Sequence, residues 1–100
     1  KAREYIIKAV RLKPDNGYIQ DSLGWVYYKL GDYERARIEL LRAIRLVNDD
    51  PYIHEHLGDV YLALKEPLKA LEHYNFAFEL YENEKRKTQV REKIDKLTIR

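Results

Sequence analysis

Apolar residues recur every three to four positions through most of this 100-residue chain, and short clusters of Pro, Gly, Asn and Asp interrupt them. Ile19, Leu23, Val26, Tyr27 and Leu30 share one face of a helix, and Ala36, Leu40, Ala43, Ile44 and Val47 share a face of the next. Ile53, Leu57, Val60, Tyr61 and Leu64 copy the first stripe; Ala70, Tyr74, Ala77 and Leu80 give another inner face. The breaks between stripes carry their own caps. Pro14-Asp15-Asn16-Gly17 and Asn48-Asp49-Asp50-Pro51 each join turn formers to a helix start. Gly31 suits a left-handed helix end, because positive φ costs glycine nothing sterically. Asp32 and Asp50 are predicted N-caps, with Pro51 at a first helical position. Lys65-Glu66 makes the next turn, and Pro67 opens the following helix. Residues 2–13 read as a helix ahead of Pro14. Val90, Ile94 and Leu97 form a narrow stripe on a charged last helix. No stretch alternates as a strand would. The pattern predicts six helices, with turns near residues 14–16, 31–32, 48–50, 65–66 and 82–84.

The stripes also repeat as a unit. Leu23-Gly24-x-Val26-Tyr27 returns 34 residues later as Leu57-Gly58-x-Val60-Tyr61, and Tyr18-Ile19 returns as Tyr52-Ile53. Ala2, Ala36 and Ala70 fall in one register, as do Ala9, Ala43 and Ala77. Pairing residues 1–50 with 35–84 gives 16 identities, whereas 51–66 against 85–100 gives none. The repeat in sequence therefore stops near residue 84. A fixed period of this length marks stacked units, each unable to bury its apolar face alone. Such architectures act through a binding surface. The expected organisation is a half unit over residues 1–14, full units over 17–50 and 51–84, and a closing helix over 85–100.

Composition adds exclusions. There is no apolar run near 18 residues, so no transmembrane segment is expected. With no Cys there is neither a disulfide framework nor a thiolate site, which suits a bacterial envelope or periplasm and a cytoplasm equally. The chain opens mid-pattern at Lys1 and reads as a piece of something longer or a processed product. Its charge is uneven: net +4 over residues 1–13, −7 over 14–84 and +5 over 85–100.

The motif resembles the tetratricopeptide repeat family, whose pattern is W-x2-L-G-x2-Y, then A-x3-F, then P over 34 residues. The first full unit matches with Leu23, Gly24, Tyr27, Ala36, Leu40 and Ala43; the second with Leu57, Gly58, Tyr61, Ala70, Tyr74 and Ala77. Ala2, Ile6, Ala9 and Pro14 match the end of a preceding unit. The Trp slot holds Gln20 and His54, and the Pro slot holds Asn48 and Glu82. The resemblance implies an all-α, right-handed superhelix of antiparallel helix pairs, about 2.5 repeats with a C-terminal capping helix. The stretch from Asp21 to Ala36 and the charged closing helix are also similar to the C-terminal ends of Gram-negative bacterial members. The family is one of protein-interaction scaffolds.

In that family the first helix of each unit lines a concave groove. Tyr18, Asp21, Trp25 and Tyr28 lie at i, i+3, i+7 and i+10, beside the Leu23 core stripe. The matching positions in the next unit are Tyr52, Glu55, Asp59 and Leu62. The expectation is an aromatic, acidic groove for a basic or amphipathic peptide or partner protein, with Trp25 as anchor. Acids at these positions argue against a clamp for a C-terminal carboxylate.

Competing chemistries are poorly supported. His54 and His56 point about 200° apart on a helix and cannot share an ion, and His73, following Glu72, is expected to sit alone. No metal or cofactor is expected. There is no nucleophile–base pair, phosphate loop or desolvated carboxylate pair, so the chain is not read as an enzyme. Lys85, Arg86, Lys87, Arg91, Lys93, Lys96 and Arg100 raise nucleic-acid binding, but their helix lacks aromatics for stacking, and a solvating cap explains them. An alternative is self-association through helix 1–13, whose Ile6, Ala9 and Val10 lack a repeat partner.

Overall fold

The computed structural model describes residues 16–98. Five helices fill them: α1 Gly17–Lys29, α2 Tyr33–Leu46, α3 Pro51–Ala63, α4 Pro67–Leu80 and α5 Glu84–Thr98. No strand occurs among the described residues. The turns fall at 30–32, 47–50, 64–66 and 81–83, where the stripes place them. The expected helix over 1–13, with Ala2, Ile6, Ala9 and Val10, lies outside the described residues.

The chain divides into two compact units, Lys1–Asn48 and Asp49–Arg100. In the first, α1 and α2 run antiparallel: Gly17 at the start of α1 meets Ala43, Leu46 and Val47 at the end of α2, and Gly24 meets Ala36 and Leu40. Leu23, Tyr27, Ala36, Leu40 and Ala43 are buried. In the second, α3 and α4 repeat this pairing, burying Ile53, Leu57, Val60, Tyr61, Ala70, Tyr74 and Ala77. A Cβ on Gly24 would stand 2.7 Å from Leu40 Cγ, and one on Gly58 2.5 Å from the Tyr74 ring. Both distances are inside van der Waals contact, so the missing side chain is what lets the helices close.

The turns follow cap chemistry. The Asn16 side chain accepts from the Tyr18 and Ile19 N–H groups, Asp32 from Arg35, and Asp50 from Tyr52 and Ile53. Glu66 makes no such bond, and Pro67 instead starts α4 with its φ preset. After α1 the chain turns through Gly31 at φ 82°; after α3 it turns through Lys65 at φ 64°. Asp32 N–H reaches Tyr27 O and Glu66 N–H reaches Tyr61 O, each at 2.9 Å, so two different residues close one hydrogen-bonded turn.

The second unit holds a third helix. α5 runs antiparallel to α4, since Phe78 meets Lys87 and Arg91. It runs parallel to α3, since Tyr52 meets Arg86 while Asp59 meets Lys93. Val90 is its one fully buried residue, and Ile94 and Leu97 are half-buried. Helices α1, α3 and α5 begin at Gly17, Pro51 and Glu84. The period thus persists in structure past the point where identity ends.

Candidate functional site

The α1 half of the expected surface is aromatic. Tyr18 is 59% exposed, and Asp21, Trp25 and Tyr28 are partly exposed. The Trp25 and Tyr28 rings stack with centroids 4.6 Å apart and planes 12° apart. Lys29 Nζ lies 5.2 Å above the Trp25 ring, and Tyr28 leans on Tyr33 of α2 at 5.5 Å. These contacts restrict the rotamers of both rings.

The α3 half is electrostatic. Tyr52 is 45% exposed and Asp59 is partly exposed, but Glu55 is buried at 8%. Glu55 and Asp59 lie one turn apart and converge on one cation of their own chain. Lys93 Nζ donates to Glu55 Oε2 at 2.6 Å and to Asp59 Oδ1 and Oδ2 at 3.0 and 3.2 Å. Tyr81 Oη donates to Glu55 Oε1, and Tyr74 Oη to Asp59 Oδ1, both at 2.6 Å. The Arg86 guanidinium lies 4.8 Å over the Tyr52 ring, 5.6 Å over that of Tyr81 and 4.0 Å from Glu55. Tyr52 and Tyr81 meet edge to face at 5.1 Å, forming a two-ring corner for that cation.

The charges here are mutually held. Burial alone would raise the Glu55 carboxyl, but hydrogen bonds from Lys93 and Tyr81 and the nearby cations outweigh it and hold it below its ordinary 4.5. Burial alone would depress the Lys93 ammonium, but Glu55 and Asp59 raise it above 10.5. Burial, then the Glu55 carboxylate, pushes the Tyr81 phenol well up. Arg86 and Lys93 stand seven residues apart with Val90 between them, the spacing that aims all three at one neighbour. That spacing was the available sequence signal for this arrangement; the charge count alone concealed it.

A second pairing corrects the sequence expectation for His73. It does not stand apart: His54 Nδ1 and His73 Nδ1 are 3.2 Å from each other, so one ring donates and the other accepts. The His73 ring stacks near Tyr61 and tilts on Phe76. Burial, then the neighbouring His54, lowers the His73 pKa below 6.5. The equivalent position in the first unit obeys the same rule, because buried Gln20 donates to Glu39. Each Trp-slot residue thus bonds to the residue 19 positions later, Gln20 to Glu39 and His54 to His73. Among the described residues no three His, Cys, Asp or Glu side chains cluster as a metal set. No helix among them is long and apolar enough to cross a membrane.

The basic face of α5 is partly committed inward. Lys87 donates to Phe78 O at 2.7 Å, and both Lys87 and Arg91 lie over the Phe78 ring. Lys93 and Arg86 serve the acidic corner already described.

Residues 24–65 match the sequence model described as TPR repeat. Over these residues the chain carries a tetratricopeptide repeat. Its fold is shared by the first TPR of Spaghetti (RPAP3), solved bound to the HSP90 peptide SRMEEVD, at TM-score 0.84 and 18% identity over 93% of this chain and 71% of that one. TTC0263, a thermophilic TPR protein of Thermus thermophilus, gives TM-score 0.83 and 25% identity over 99% of this chain and 49% of its own. MamA AMB-1 gives 0.74 and 25% over 80% of this chain and 47% of its own. This chain therefore spans about half the length of the last two. No curated protein matches it in sequence. Tetratricopeptide repeats are in general protein-interaction modules, typically without enzymatic activity.

Proposed function

We propose that this chain binds a peptide or a segment of a partner protein, basic or amphipathic in character, on the aromatic and acidic faces of its first-position helices. The observation that carries the reading is the Trp25–Tyr28 stack with exposed Tyr18 one turn or more away and Asp21 on the same helix. Ordered aromatic rings give anchor area at low entropic cost, and a carboxylate beside them selects Lys or Arg. The second unit offers Tyr52, Glu55 and Asp59 as its own counterpart, in which the two acids already hold cations of the chain.

The test is a fluorescence-anisotropy titration of the chain against a panel of labelled amphipathic peptides differing in Lys and Arg content. Peptides rich in Lys and Arg should bind in preference to acidic ones. Trp25→Ala should weaken binding roughly 30-fold, since truncating an aromatic anchor commonly removes about 2 kcal/mol. Asp21→Asn should chiefly slow association and blunt its salt dependence. Binding that ignores Trp25→Ala, or that favours acidic peptides, would overturn the reading. Self-association through helix 1–13 concerns residues outside the described region.

A further inference from the structure

The second unit contains a worked example of its own ligand. Beside the Lys87 and Arg91 contacts with Phe78, α5 docks on α3 and α4 by three side chains in one register: Arg86 in the Tyr52–Tyr81 corner, Val90 fully buried, and Lys93 between Glu55 and Asp59. We propose that this face of α3 and α4 is a receptor for a basic amphipathic helix, that α5 occupies it in cis, and that a partner helix carrying the cation–x3–Val–x2–cation pattern displaces α5. This deepens the reading of the chain as a binding module, and it concerns the second unit alone.

Three observations carry it. First, the receptor side is complementary to a helix of this kind beyond ordinary core packing. It sets out two carboxylates one turn apart, each also holding a tyrosine hydroxyl, and a two-ring corner suited to a guanidinium. Those groups are fixed by α3, α4 and the residue after α4, so they persist when α5 leaves. Second, α5 makes several charged contacts and few deeply buried apolar ones. It buries only Val90 completely, against seven buried residues in α3. A helix so attached has a small apolar stake, and a competitor with equal charges and a better apolar residue can replace it. Third, α5 follows a connector of only three residues, Tyr81–Asn83, of which Tyr81 belongs to the receptor through Glu55. Release of α5 therefore leaves the corner standing and requires movement only beyond Tyr81. Replacement by a like helix restores every ion pair, so exchange has little electrostatic penalty, whereas an acidic helix would leave Glu55 and Asp59 facing like charge.

The experiment uses the whole chain and a labelled synthetic peptide with the sequence of residues 84–98. Anisotropy is read for wild type, for Arg86→Ala/Lys93→Ala, and for that double variant with Glu55→Gln/Asp59→Asn added. Weakening the cis helix should raise peptide affinity at least tenfold over wild type, and removing the receptor acids should abolish that gain. A peptide with its own two cations replaced by Ala should bind at least tenfold more weakly. Equal binding by wild type and the double variant, or binding indifferent to Glu55→Gln/Asp59→Asn, would overturn the proposal. Because variants can unfold, amide hydrogen exchange on the unmodified chain supplies the second measurement. Excess peptide should speed exchange in residues 84–98 while leaving α3 and α4 protected; unchanged protection of α5 at millimolar peptide also overturns it. Trp25→Ala serves as the separating control. Added to every variant, it should reduce binding to the first unit's face while leaving intact the gain caused by Arg86→Ala/Lys93→Ala and its loss with Glu55→Gln/Asp59→Asn, so the two readings can fail independently.

Discussion

The two repeats use one frame for two different surfaces. Residues 17–46 and 51–80 share helix lengths, antiparallel pairing, a glycine at the crossing and a buried Leu and Tyr on the first helix. Their outward chemistry diverges. On α1 the variable positions present a Trp–Tyr stack with a lysine above it; on α3 they present two carboxylates engaged by α5. The lesson is that the period governs packing while the positions next to the core stripe are released from it. Register can therefore say where a site residue sits without saying what meets it there.

The largest effects should test the shared frame. Leu23→Ala and Leu57→Ala should each lower stability by about 2–5 kcal/mol in urea unfolding, as large-to-small core changes do. Trp25→Ala should remove less than either. If Trp25→Ala proved the more damaging, the indole would be core and the surfaces would differ less than described. Next comes the divergent chemistry. Lys93→Ala strips a cation from buried Glu55 and should remove about 1–3 kcal/mol. Arg35→Ala, which breaks an exposed pair with Asp32 on α2, should change stability by about 0–1 kcal/mol. Equal losses in the two urea series would show the acidic corner to be ordinary surface.

The inter-helix turns give a smaller contrast. Lys65→Gly should gain about 1 kcal/mol by relieving a left-handed backbone, and Gly31→Ala should lose a similar amount. Thermal unfolding of the pair should give shifts of opposite sign. The gentlest signal is pH. His73 has a lowered folded pKa, so the unfolded state takes the proton first and stability declines as pH falls from about 6.5. Glu55 is also lowered, so its contribution is present above 4.5 and is lost as pH falls through its folded value. Urea midpoints across that range should fall in two stages. His73→Gln should flatten the first stage and Glu55→Gln the second.

The fold was legible because its determinants are local. Pro51, Pro67, Gly31, Asp32 and Asp50 sit at the caps and turns their chemistry demands, and the Leu-Gly-x-Val-Tyr stripe reads directly as a buried face. Even the break after α4, which no Gly or Pro marks, followed from the 34-residue register. The candidate site was legible only in part. Tyr18, Asp21, Trp25 and Tyr28 fall on one helix as their spacing required. That Glu55 and Asp59 would meet Lys93 could not be read from charge, because the pairing spans 38 and 34 residues. The His54–His73 contact was hidden for the same reason, since it depends on how two helices cross rather than on either alone.

Trp25 is the chain's single tryptophan, and it lies in the unit that ends at Asn48. Indole emission therefore witnesses only that half, whereas far-ultraviolet dichroism sums both. Repeat proteins need not melt as one block, because their cooperativity is set neighbour by neighbour. Overlaying the two optical traces in a single denaturant series would reveal whether the halves let go together. The native sequence thus carries a site-specific dye of its own, with the other half left dark to indole emission.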